Sequence, residues 1–154
     1  MTIKCHFSEP MQAVLVDSGW SRDRHVDARE FIRDWSDWFV CTPVVQEVLS
    51  SFLDVSVSDS TGNFMRFGEC PEFHQVQEGD SERLGKLHGR PVFPIAGGGR
   101  FMFFMDAEGG VLAVHDEFTM YWQAPNLAAA MDIEFRFEGV KVVPIPDGLL
   151  DSHP

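Results

Sequence analysis

Apolar positions cluster most tightly between Leu84 and Asp116. Two runs, Val92–Ile95 and Phe101–Met105, are split by Gly97, Gly98 and Gly99. A third, Val111–Val114, follows the tip Asp106-Ala107-Glu108-Gly109-Gly110. Short apolar runs bounded by glycines predict consecutive antiparallel strands. Gly109 and Gly110 supply the positive φ of a tight reversal. The runs are continuous rather than alternating, which predicts strands covered on both faces, or on one face with a partly covered second.

Elsewhere the pattern is helical. Ser8 is placed to cap a first helix with Pro10 in its first turn, Met11, Val14 and Leu15 forming its apolar stripe and Gly19 ending it. Asp27 and Glu30 have capping-box spacing for a helix to about Phe39, with Phe31, Trp35, Trp38 and Phe39 on one face. Thr42-Pro43 restarts the chain as cap and first helical residue, and Val45, Val48, Leu49, Phe52 and Leu53 make the most regular stripe. Between these helices and the first, Gly19–Val26 is polar apart from Trp20 and Val26; it reads as an ordered connector that Trp20 anchors to the core.

Val55 and Val57 alternate with serines, Ser60–Asn63 is a turn, and Phe64–Phe67 returns, a second and more polar hairpin. Gly68–Asp80 reads as a loop with at most a short strand near Phe73–Val76, and Ser81–His88 as a two-turn helix with Leu84 and Leu87 inward. Phe118–Trp122 can extend the sheet. From Leu127 to Glu138 two patterns coexist: Leu127, Met131 and Phe135 keep helical spacing, while Ile133, Phe135 and Phe137 alternate as in a strand. These elements predict one α+β domain over residues 1–154, an antiparallel or mixed sheet with helices packed on it. Its core covers about 9–139, with an extended tail from 140 to 154.

The chain has 154 residues, 44% of them hydrophobic, with 14 Phe, enough for one core without disulfide or metal support. Cys5, Cys41 and Cys70 are odd in number and widely spaced, which reads as reduced thiols of a cytosolic protein. The N-terminus lacks the apolar run of a signal peptide, and no window approaches the ~20 apolar residues of a membrane span. Charge changes the picture most. The 24 acidic residues against 12 basic give a net charge of −12, which repels phosphate backbones and anionic lipid and favours a basic partner.

Catalytic chemistry finds no motif. His6, His25, His74, His88, His115 and His153 are isolated, so no metal site and no cofactor is expected. Cys41 stands at a helix N-terminus, where a thiolate could be stabilised, but a buried, unreactive Cys is the favoured reading. Gly97-Gly98-Gly99-Arg100 leads into a strand rather than a helix, so it is a turn and not a phosphate cradle. No catalytic residues are assigned.

The densest acidic stretch, Gly68–Arg83, carries Glu69, Glu72, Glu78, Asp80 and Glu82 around Phe73. An aromatic among carboxylates in a loop suits a protein interface, so these residues are the expected partner-binding set, with Asp116 and Glu117 a second choice. The competing readings are an acidic cytoplasmic enzyme, its pocket lined by Trp20, Trp122, His115 and Glu117, and a scaffolding domain.

Gly19-Trp20-Ser21-Arg22-Asp23-Arg24 resembles the GW-x-x-x-R signature of the third immunity group in the SUKH superfamily of bacterial immunity proteins. Pro94-Ile95-Ala96-Gly97 is similar to that group's "PIG" strand with Ala inserted before the glycine, and the acidic-Gly turn at 106–110 matches the next strand pair. The group's "fGG-L" segment is replaced by Phe52–Val57, without glycine. The element order agrees over about residues 9–139. The resemblance implies a cytoplasmic α+β protein without catalytic activity, which binds and silences a cognate bacterial toxin, often a nuclease, encoded beside it.

Overall fold

The continuous apolar runs become the centre of an antiparallel sheet. The computed structural model describes residues 6–68, 79–136 and 139–146. Seven strands follow one another in sequence order: β1 (Ser56–Ser58), β2 (Phe64–Phe67), β3 (Val92–Gly98), β4 (Phe101–Asp106), β5 (Val111–His115), β6 (Met120–Ala124) and β7 (Val143–Pro144). Every pairing is antiparallel. Burial follows the sequence pattern. All of β3 is buried, as is β4 after Phe101, whereas β2 alternates with only Met65 and Phe67 inside. The β3–β4 register shifts between Pro94 and Ala96. A bulge there accommodates a proline that cannot donate a ladder hydrogen bond.

Five helices complete an α+β domain: α1 (Glu9–Asp17), α2 (Arg29–Trp35), α3 (Pro43–Phe52), α4 (Asp80–His88) and α5 (Leu127–Glu134). None of the described helices is long and apolar enough to cross a membrane. Ser8 caps α1 as expected, accepting the Met11 N–H, and its hydroxyl also donates to Asp132 on α5 at 2.6 Å. Val45, Val48, Leu49 and Phe52 of α3 are buried, so its stripe is core. Leu84 of α4 is buried and Leu87 half-buried.

Two expectations need correction, and one open alternative is decided. The second helix is shorter than 27–39. Ala28, not Asp27, occupies the cap position; the Asp27 carboxylate accepts the Arg29 backbone N–H at 3.0 Å and binds its guanidinium at 2.8 Å. At the other end, Ser36 donates its hydroxyl to the Ile32 carbonyl and its N–H to Arg33. This local bonding tightens the last turn and ends the helix. The last strand of the central meander is Met120–Ala124 rather than 118–122, because Phe118 lies in the preceding turn at φ +58°. The ambiguous C-terminal segment is helix over 127–134, since Asn126 caps it by accepting the Ala129 N–H at 2.8 Å. The short strand expected near Phe73–Val76 lies outside the described residues.

Candidate functional site

The Gly19–Arg24 signature builds structure. Gly19 takes φ +87°, which turns the chain out of α1. The Trp20 ring then stacks on Phe52 of α3, with centroids 4.8 Å apart, and meets Phe7 edge-on. Its indole N–H donates to the Ser51 hydroxyl at 3.0 Å. Arg24 donates to the carbonyls of Ser51 and Leu53 at 2.6 and 2.8 Å. These carbonyls close α3, where a helix leaves acceptors unpaired and favours a cation. The signature therefore clamps the connector onto the end of α3.

The surface feature that stands out lies between α2 and α3. Beyond the shortened α2, residues 36–38 form a turn and 39–42 lead to α3, and within this connector only Phe39 is buried. Phe39 is buried against Phe93 and Phe104, while Trp38 is 41% and Val40 72% exposed. Trp38 and Val40 thus crown a ridge. Beside it runs a groove of about 470 Å³, closed on the far side by α4 and by Pro91 and Val92. A second concavity on the ridge's other side is lined by Ile32, Arg33, Cys41 and Gln46. On the groove's rim Lys86 pairs with Glu82 at 3.4 Å, and Arg90 with Glu108 at 2.5 Å. Glu30, Asp34 and Asp37 are exposed on or beside α2, with Arg33 among them.

The expected interface residues scatter over this frame. Glu82 lies on the groove and is exposed. Asp80 is a correction. It is fully buried at the start of α4 and binds Arg83 at 3.0 Å, so it holds the helix and is not a surface contact. Asp116 and Glu117 lie beyond β5, where the Asp116 N–H donates to Arg100 ahead of β4. The groove's Arg90–Val92 instead adjoin the Asp106 end of β4. Five strand steps separate the two ends, roughly 17 Å, so Glu82 and the pair Asp116–Glu117 do not form one patch. Glu69, Glu72, Phe73 and Glu78 lie outside the described residues.

The pocket of Trp20, Trp122, His115 and Glu117 is not assembled. Trp122 packs on Phe101 and Phe103, and His115 accepts the Glu117 N–H at 3.1 Å. Trp20 is enclosed instead by Phe7 and Phe52.

One arrangement has the look of catalytic machinery. His88 Nε2 lies 2.7 Å from Asp106 Oδ2, and its Nδ1 lies 2.9 Å from the Gln123 amide. With that amide donating to Nδ1, the imidazole proton sits on Nε2 and goes to Asp106. The other Asp106 oxygen accepts the N–H groups of Glu108 and Gly110 at 2.8 and 3.0 Å. Burial raises the Asp106 carboxyl pKa, but these donors outweigh it and hold the group below its ordinary value. Both ring nitrogens are engaged and both side chains are nearly buried, at 6% and 5% exposure. The adjoining concavity is lined by His88, Arg90, Asp106, Glu108, Gly110, Gln123, Ala124 and Pro125, which include no Ser, Thr or Cys. The triplet pins the end of α4 to the β4–β5 turn.

Among the described residues no three His, Cys, Asp or Glu side chains converge on a point that could hold a metal ion. Burial pushes the Cys41 thiol up, away from thiolate.

The ridge was missed in the sequence because Trp38 falls on the apolar face of an extrapolated α2. The chain leaves α2 through a turn in which the N–H groups of Trp38 and Phe39 both reach the Trp35 carbonyl, and of these two residues only Phe39 is buried; apolar spacing alone does not mark that turn. No family model matches the chain, and no curated protein or solved structure matches it either.

Proposed function

We propose that this chain is a non-catalytic binding protein: an immunity protein of the SUKH kind that acts in the cytoplasm and sequesters a basic toxin domain. The observation that carries the reading is the ridge of Trp38 and Val40, exposed at 41% and 72% on a protein of net charge −12. Trp is enriched at the energetic centres of interfaces, and an acidic surface complements a domain built to hold phosphate. A nuclease domain must be basic where it grips nucleic acid, so an acidic protein can occupy that face. The toxin itself is suggested by the Gly19–Arg24 signature and the order of elements, not by the ridge.

An enzymatic reading has less support. The His88–Asp106 pair has its polar atoms committed to Gln123 and the β4–β5 turn, and among the described residues no Ser, Thr or Cys lines the space beside it. The test of the proposal is protection. Cells making this chain are challenged with the toxin encoded beside its gene. Survival is the expected result, and killing at the rate of unprotected cells would refute the proposal.

A further inference from the structure

We propose that the Trp38–Val40 ridge and the groove between it and α4 receive an apolar side chain carried on a basic segment of the partner. This rests on the binding reading above and assigns its site. The shape argument comes first. Trp38 and Val40 are the exposed apolar crown, and Pro91 and Val92 line the same groove on its far side, so a single aliphatic or aromatic side chain can seat between them. Charge then selects the segment that bears it. The two rim cations nearest the groove are already neutralised, Lys86 by Glu82 and Arg90 by Glu108. On and beside α2, the helix that leads into the ridge, Asp27, Glu30, Asp34 and Asp37 are exposed against Arg29 and Arg33, and Asp37 is the chain neighbour of Trp38. An acidic peptide would meet this excess of carboxylates, whereas Lys or Arg flanking the inserted side chain would be attracted to them. A second copy of the chain is disfavoured by the same field, since each carries a net charge of −12.

The test measures binding of the purified toxin domain encoded beside the gene to the full chain and to three variants. Trp38→Ala and Val40→Asp change the ridge. Asp116→Lys with Glu117→Lys alters the opposite end of the sheet. Because Val40 is largely exposed, the second variant keeps the test valid if loss of Trp38 disturbs folding. The expected result is a Kd raised about 30-fold or more by each ridge variant and little changed by the distant pair. In addition, Asp34→Lys with Asp37→Lys should lower the association rate about 3- to 10-fold at low salt. Ridge variants that bind within about threefold of the wild type would overturn the site while leaving the binding reading intact. Failure of the wild-type chain to bind would overturn both. Sedimentation as a dimer that Val40→Asp dissociates would give the groove to a second copy and overturn the assignment to a basic segment.

Discussion

Glu134, the last residue of α5, offers a perturbation whose effect grows with pH. Its carboxyl lies against β3: a Cβ placed on Gly98 would lie 3.2 Å from Oε1. Burial raises its pKa from 4.5 to about 7; Arg136 opposes the shift and Asp59 adds to it. The folded state thus holds a proton that the unfolded chain releases near 4.5. Stability from this group is fully present below about 4.5 and is lost as pH rises through about 7. The whole interval is equivalent to about 3 kcal/mol at 1.36 kcal/mol per pH unit. Solvent reaching the half-buried carboxyl reduces the expected effect to about 1–2 kcal/mol. Glu134→Gln removes the titration and keeps the shape. Urea unfolding at pH 5 and pH 8 provides the assay, with wild type and variant compared at each pH so that the histidines cancel. The variant should match the wild type at pH 5 and exceed it by about 1–2 kcal/mol at pH 8. A stability difference that is the same at both pH values, within about 0.3 kcal/mol, would refute the reasoning.

Other perturbations test the frame. Leu49 is fully buried on α3, so Leu49→Ala should cost about 2–5 kcal/mol in denaturant unfolding; a loss below about 0.5 kcal/mol would show that this face is not core. Arg24→Ala should cost about 1.5–3 kcal/mol, because it strips a charged donor from two carbonyls at the end of α3, and Arg24→Lys should recover only part of this. An unchanged midpoint for Arg24→Ala would contradict the clamp. A Cβ on Gly110 would lie 2.4 Å from Asp106 Oδ2, an atom held in turn by His88, so Gly110→Ala should lower the thermal midpoint by several degrees.

What the sequence revealed depended on how local the signal was. The meander from Val92 to Val114 was legible because continuous apolarity marks a doubly covered strand, although β3 runs on through Gly97 and Gly98, which pair with Arg66 and Met65 and which the sequence pattern places in the turn. The stripe of α3 was legible for the same kind of reason. The end of α2 was not, because Ser36 stops the helix by hydrogen bonding to Ile32 while the apolar spacing runs on to Phe39. That spacing hides the ridge, since it places Trp38 on the same face as Phe39. Asp80 shows the converse limit. An acid in an acidic stretch reads as surface, yet its pairing with Arg83 is made in a buried position that spacing alone does not mark. The His88–Asp106–Gln123 contact was also invisible, because it joins residues 18 and 35 positions from His88.

The function proposed above is stoichiometric neutralisation without turnover. It is tested by titrating a candidate toxin domain encoded near the gene with this chain and reading residual toxin activity against the mole ratio. The account predicts a linear fall that ends at one equivalent and does not deepen with longer incubation. Inactivation by a small fraction of an equivalent that grows with time would reveal a catalyst instead, and undiminished toxin activity at several equivalents would contradict the binding function itself.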